Sequence, residues 1–187
     1  MTIEINLQKL DRGTKKEWKT VTRGGKTFKQ RFATGKKDKP TGVTMGILTD
    51  LKPDSDMSSM DFAKEHGWNA EKSEFFNSFI SSETYTFMKD NKMFALGDFE
   101  MDEEESWLDI GILEVNPDMR RQGFGVEAMK EIVNHALKNN IKTIELSSMD
   151  ENSDKFYTAI GMEEKGKVLM THYEGDEAWM KAFLKAK

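Results

Sequence analysis

The sequence predicts an α/β (α+β) fold: a central sheet flanked by helices, extended at its N-terminus by a basic hairpin. Three observations predict it. Leu108–Val115 is an apolar strand that turns at Asn116-Pro117 into a glycine-spaced loop. The loop opens a helix, because Phe124, Ala128, Met129, Ile132, Val133, Ala136 and Leu137 recur at three- and four-residue spacing. Further strand-like segments at Thr41–Leu51, Thr84–Lys89, Met93–Met101, Ile141–Ser148 and Val168–Tyr173 are interleaved with shorter helical patterns.

Residues 1–40 read as an appendage and residues 41–187 as the body. The first 40 residues carry 12 Lys/Arg against 4 Asp/Glu, and the remainder 16 against 29, so a basic arm sits on an acidic chain of net charge −5. Trp18–Thr22 and Lys26–Phe32 form two strands around Arg23-Gly24-Gly25. Two readings of this arm stand side by side. One is a docking element for nucleic acid or another polyanion. The other, which we favour, is a solvated basic hairpin lying on the acidic body, or a partly disordered tail. Lys36–Pro40 reads as a linker.

In the body, Thr41–Leu51 is a first strand, ended by Pro53 and the Asp/Ser stretch. Met60, Phe62, Ala63, Trp68, Phe75, Phe76, Phe79 and Ile80 predict two short helices, with Asn69 capping the second. Thr84–Lys89 and Met93–Met101 form a hairpin around Asp90-Asn91. The acidic run Met101–Glu105 precedes the central strand. The long helix is followed by Ile141–Ser148, a helix over Asn152–Ile160 closed by Gly161, a last strand Val168–Tyr173, and a terminal helix Glu177–Lys185. That terminal helix would bury Ala178, Trp179, Ala182 and Phe183.

Composition narrows the chemistry. The 187 residues are enough for one sizeable core, and 12 Phe with 4 Trp argue for a globular chain. Cysteine is absent, which excludes disulfides, a cysteine nucleophile and thiolate metal sites. His66, His135 and His172 lack metal-ligand spacing, so no metal is expected. No apolar run is long enough to span a membrane, and a soluble cytoplasmic protein is the expectation.

The loop after the central strand is the candidate functional feature. Glycines at 123 and 125 let backbone approach a ligand, and the helix they open offers unpaired N–H groups and the positive end of its dipole. This favours a phosphate. The Walker pattern is excluded, since no Lys-Ser/Thr follows the glycines, and the dinucleotide fingerprint is incomplete, since position 128 is Ala. Taken alone, the loop reads first as an ordinary strand–turn–helix connection with two turn glycines.

Arg120, Gly123 and Gly125 fit the pattern Arg/Gln-x-x-Gly-x-Gly/Ala, and this stretch resembles motif A of the GNAT N-acetyltransferases. Downstream, Ile144–Met162 is similar to motif B of that family: a strand, then Asn152, then a helix carrying Phe156-Tyr157, then Gly161-Met162. The two motifs occur in the right order and at the right distance. The resemblance spans roughly Thr41–Tyr173. It implies a mixed, mostly antiparallel sheet that splays near Val115, and acetyl-CoA as cosubstrate.

The resemblance also implies site residues. Arg121, Gln122, Gly123, Phe124 and Gly125 would hold the coenzyme pyrophosphate through N–H groups, with Arg120 either adding charge or bracing the loop. Backbone groups of Leu113 and Val115 would bind the pantetheine arm, the Val115 amide facing the thioester oxygen. Tyr157 would hydrogen-bond the sulfur and protonate the thiolate; its other reading is a core aromatic. Asn152 would contact the coenzyme or cap its helix. Asp109 sits where histone-acetylating members carry a glutamate base, and the alternative is that water removes the proton. Glu114 is the weaker base, because it shares its strand face with Ile110 and Ile112.

The expected function is direct transfer of an acetyl group from acetyl-CoA to a primary amine: a protein lysine or N-terminus, or a small cationic amine. The acidic Met101–Glu105 loop would attract such an acceptor. One alternative is a non-catalytic coenzyme-binding adaptor docking through the arm, which resembles short extensions on tailed-phage proteins. A second is a nucleotide-binding protein that uses the same loop for another phosphate ligand.

Overall fold

A computed structural model describes residues 16–23, 26–33, 44–47, 59–73, 84–167 and 169–186. The expected helix over Phe75–Ile80, the Gly24-Gly25 turn and the linker lie outside these. Strands β1 (Lys16–Arg23) and β2 (Lys26–Ala33) pair antiparallel, from Lys16 opposite Ala33 to Arg23 opposite Lys26. They form a two-stranded sheet of their own.

The main sheet has seven strands: β3 (Thr44–Ile47), β4 (Tyr85–Lys89), β5 (Lys92–Asp102), β6 (Trp107–Val115), β7 (Thr143–Ser148), β8 (Glu163–Lys167) and β9 (Thr171–Asp176). Their order is β3-β4-β5-β6-β7-β9-β8. β6 and β7 pair parallel, whereas β3/β4, β4/β5, β7/β9 and β8/β9 pair antiparallel. Four α-helices accompany the sheet among the described residues: α1 (Ser59–Glu65), α2 (Phe124–Lys138), α3 (Glu151–Ala159) and α4 (Glu177–Lys185). The mixed, mostly antiparallel architecture expected from the sequence is therefore the one observed.

The chain divides into two compact units. One is built from Arg12–Asp98 and Leu113–Gly125. Its core gathers Phe62, Ala63, Trp68, Met88, Met93 and Leu96. The β4–β5 hairpin turns on Asp90 and Asn91, both left-handed (φ 49° and 61°), as a two-residue turn of the primed type requires. Phe94 packs against Phe124, with ring centroids 5.1 Å apart.

The other unit includes Phe99–Ile112 and Val126–Lys187. Leu108 and Ile110 of β6 and Ile144 and Leu146 of β7 are buried in register with one another. Helix α2 buries Ala128, Met129, Ile132, Val133 and Ala136 of the predicted stripe, leaves its end members Phe124 and Leu137 half-buried, and also buries Glu131, which the pattern did not foretell. It ends on a left-handed Asn140 (φ 60°), with Ile141 N–H donating to Ala136 C=O at 3.0 Å, a Schellman closure made by Asn in place of glycine. Gly161 (φ 81°) closes α3 as expected, and Met162 N–H donates to Tyr157 C=O at 3.1 Å.

Three local expectations change. The cap of α3 is Asp150, whose Oδ1 accepts from the N–H groups of Asn152 and Ser153; Asn152 lies inside the first turn. The single strand expected over Val168–Tyr173 is replaced by a hairpin of β8 and β9. β8, Glu-Glu-Lys-Gly-Lys, is exposed at every position and so carried no apolar alternation to read. Helix α4 buries Trp179, Met180 and Phe183, while Ala178 is exposed.

Candidate functional site

The loop at the end of β6 is fixed from beneath by Asn116, which is 1% exposed. Its side-chain amide donates to Gly67 C=O at 2.9 Å and Met93 C=O at 3.0 Å, and its N–H donates to Phe94 C=O at 2.9 Å. Its Oδ1 accepts from Asp118 N–H, which caps the short 3₁₀ turn Pro117–Met119. Asp118 in turn accepts from Lys72 Nζ at 2.8 Å and Asn69 Nδ2 at 2.7 Å. Those hydrogen bonds, Lys72 first, hold its carboxyl below the usual range. A buried polar residue with these bonds leaves the strand only one exit direction.

Arg120 then folds back. Its Nη2 donates to Glu114 Oε1 at 2.9 Å and its Nε to Val115 C=O at 3.3 Å. Glu114 is 4% exposed and also accepts from Ser73 Oγ at 2.6 Å. Of the two roles open to Arg120, bracing the loop is the one this geometry performs. Glu114 is committed to the same ion pair. We expect Arg120→Ala to destabilise the chain by about 2 kcal/mol, below the fully buried limit because the guanidinium is half-exposed. Arg120→Lys should recover less than half of that loss, because one ammonium cannot serve both acceptors. Denaturant unfolding measures both; a loss under about 0.5 kcal/mol for the alanine variant would remove the brace.

With Arg120 drawn inward, Arg121, Gln122 and Gly123 are exposed. Arg121 (φ 61°) and Gly123 (φ 88°) are both left-handed. A Cβ on Gly123 would meet open space, so conformation and not crowding calls for glycine there. Helix α2 starts at Phe124, and its first four N–H groups have no partner within the helix. Phe124 and Gly125 are half-buried at its mouth, and Leu113 and Val115 are half-buried along the end of β6.

The sequence profile of the acetyltransferase (GNAT) family matches residues 50–162, more than half of the chain. The chain belongs to the GNAT acetyltransferase family. No curated protein matches the sequence closely enough to count. Among solved structures, Tetrahymena GCN5 shares 16% identity (TM-score 0.44), with 50% of this chain and 66% of that one covered. The PaiA N-acetyltransferase of Thermoplasma acidophilum, solved with coenzyme A, shares 14% identity (TM-score 0.45) over 50% of this chain and 59% of that one. The ribosomal-protein-S18-alanine N-acetyltransferase of Escherichia coli shares 14% (TM-score 0.47) over 71% and 90%. The chain thus spans less than two thirds of the length of the first two.

The remaining predicted residues of this GNAT chain lie in the unit that includes Val126–Lys187. Tyr157 on α3 is buried, its ring 5.2 Å from Phe156 and 5.5 Å from Tyr173. Burial, and then the Asp150 carboxylate, push its phenol well above the ordinary tyrosine range. Asn152 is exposed. Asp109 is half-buried on β6, in register with Glu145 on β7, and lines a cavity of about 210 Å³. Tyr157 does not line that cavity.

Sequence reasoning passed over most of what surrounds Asp109. Glu145 faces Glu174 on β9, and Glu174 faces Glu163 on β8, so cross-strand pairing carries a row of carboxylates over four strands. Lys165 Nζ bridges Glu163 at 2.9 Å and Glu174 at 3.5 Å, and the Glu163 bond is the first cause raising its pKa. Ser147 and His172 are cross-strand partners, with Ser147 Oγ 2.8 Å from His172 Nδ1, and both line the same cavity. The alternation of β7 was the available signal: Ile144 and Leu146 point inward, which turns Glu145 and Ser147 to the other face. His66, bonded to Phe62 C=O, and His135, bonded to Asn139 and packed on Phe99, belong to local packing.

Proposed function

We propose that this protein moves an acetyl group from acetyl-CoA directly to a primary amine. The observation that carries the reading is the exposed Arg121-Gln122-Gly123 turn at the mouth of α2, with Arg120 drawn away from it to Glu114. Such a turn presents N–H groups and the helix dipole to a diphosphate without covering them with side chains. Arg121, Gln122, Gly123, Phe124 and Gly125 would hold the pyrophosphate. Leu113 and Val115 would hold the pantetheine arm, with the Val115 N–H as oxyanion donor. The thioester supplies the activated acetyl carbon, so no covalent enzyme intermediate is required.

The end of the β6–β7 pairing supports the same reading. Parallel pairing stops at Ile110 with Leu146, whereas β6 continues to Val115 and β7 to Ser148. Backbone groups of β6 beyond Ile110 are therefore not matched in register by β7, the condition for a ligand chain to bond there.

Tyr157 would serve the leaving sulfur as a hydrogen-bond donor. Its raised pKa keeps the proton in place and makes full transfer to a thiolate, ordinarily near 8.5, uphill, so Tyr157 would stabilise the leaving sulfur by hydrogen bonding while the proton that completes the thiol comes from the acceptor nitrogen. Tyr157→Phe should lower kcat about 10- to 100-fold with acetyl-CoA affinity nearly unchanged, read by thiol release. In the wild-type chain the donor should persist on the alkaline side beyond the usual tyrosine range. An unchanged kcat would reassign Tyr157 to packing. Glu103 and Glu104, exposed in the turn before β6, would favour a cationic acceptor. Calorimetry with acetyl-CoA and with ATP tests the whole reading: binding of ATP alone would overturn it.

A further inference from the structure

We propose that Lys72 sets the charge of the coenzyme loop: by neutralising Asp118 it lets the Arg121–Gly123 turn accept a diphosphate, while Lys72 itself stays on Asp118 and off the coenzyme. This rests on the coenzyme binding proposed above and names a residue that decides its strength.

The loop alone is poorly charged for an anion. From Leu113 to Gly125 the chain carries Glu114 and Asp118 against Arg120 and Arg121, so the stretch is formally neutral. A diphosphate is strongly anionic, and each uncompensated carboxylate beside it works against binding. Glu114 is compensated from within the loop, since Arg120 Nη2 lies 2.9 Å from its Oε1. Asp118 is compensated from outside. Lys72, in the segment after α1 and 46 residues earlier in the chain, places its Nζ 2.8 Å from Asp118 Oδ1. Asn69 Nδ2 takes the other oxygen at 2.7 Å but brings no charge. Both carboxylates are then matched by a cation, which leaves Arg121, exposed in the turn, to face the ligand. Lys72, Asp118 and the turn all belong to one compact unit, the one built from Arg12–Asp98 and Leu113–Gly125. A further cation of that unit, Lys89, stands 5.8 Å from the Phe124 ring centroid and adds to the same field.

Asp118 is close enough to the turn to matter. It precedes Arg121 by three residues, and its C=O accepts from Gln122 Nε2 at 3.3 Å. That keeps the carboxylate about one screening length from the turn, roughly 10 Å at 0.1 M salt. Its carboxyl is held below the usual range, chiefly by the Lys72 bond, so the charge persists at neutral pH. The Lys72–Asp118 pair is also a weak structural element. Its side chains are 66% and 51% exposed, and an ion pair so exposed contributes little to folding. What it changes is the field that an arriving anion meets.

Calorimetry with acetyl-CoA at about 50 mM salt decides this, because the two substitutions should act in opposite directions. Lys72→Met uncovers the Asp118 charge and should weaken binding about fivefold. Asp118→Asn removes that charge, leaves Lys72 unopposed and should tighten binding about threefold. The double variant has the formal charge of wild type and should bind within about twofold of it, as should Lys72→Arg. At about 0.5 M salt the Lys72→Met loss should shrink below about twofold. Melting temperatures should stay within about 4 °C of wild type throughout.

A pair that merely clips the segment to the loop would make both single variants bind more weakly. A Lys72 that ligates the coenzyme would leave Lys72→Met unrescued by Asp118→Asn. Either result, or wild-type affinity in Lys72→Met, would overturn the proposal while acetyl-CoA binding by the wild-type chain still stood. A wild-type chain that does not bind acetyl-CoA would overturn the transfer reading, and this inference with it.

Discussion

Gly175→Ala is expected to lower stability by about 3 kcal/mol, the upper end of the cost of overpacking a core. A Cβ at Gly175 would stand 2.1 Å from Trp179 Cε3 and 2.5 Å from Cζ3, so the indole would have to move. It is poorly placed to do so. Its Nε1 donates to Ile160 C=O at 2.9 Å, and its ring stacks on Phe183 at 5.2 Å and 10°. Trp179 and Phe183 are both at most 2% exposed. For a chain of this size the melting temperature should fall by on the order of 10 °C, read by thermal unfolding. Gly175→Ala combined with Trp179→Leu should cost less than the sum of the two single changes, because the shorter side chain vacates the overlap. A melting point within about 2 °C of wild type would mean that α4 is not clamped onto β9 as described.

Gly125→Glu is expected to remove acetyl-CoA binding while leaving the fold intact. A carboxylate in the first turn of α2 would occupy the mouth where the diphosphate is proposed to sit and would repel it. Acidic residues in a first turn are otherwise favourable to the helix, so stability should barely change. Affinity should fall by more than 100-fold, about 2.7 kcal/mol at 1.4 kcal/mol per decade. Calorimetry with acetyl-CoA, paired with thermal unfolding of the same variant, separates the two effects. Affinity within threefold of wild type, with an unchanged melting point, would move the coenzyme elsewhere.

The parts that the sequence made legible are those written in local periodicity. The apolar stripe of α2, the turn at Asp90-Asn91, the stop at Gly161 and the span of α4 each depend on residues within a few positions of one another, and each is found. The motif that placed the chain among the acetyltransferases is local in the same sense. What escaped depends on pairing across distance. Arg120 reads as an anion ligand until Glu114 is seen to take its charge, and Glu114 is itself held by Ser73, 41 residues away. Ser147 and His172 meet only because β7 and β9 are neighbours, 25 residues apart in the chain. Asp150 outcompeted Asn152 as the cap of α3 by two positions, a margin that propensity alone does not resolve. β8 had no apolar residue to announce it; β9 selects it as a strand.

The composition of β8 has a consequence for how the chain behaves at high concentration. It is the outermost strand on its side of the sheet, and an outermost strand offers unpaired backbone groups to any neighbouring molecule. Glu163, Glu164, Lys165 and Lys167 give that rim a dense coat of hydrated charge, with Gly166 weakening its extended conformation. A second copy approaching in register would strip water from these groups without any greasy contact in return. The rim should therefore resist fibril-like stacking, and replacing its lysines with valine should turn a dispersed solution into one that clouds.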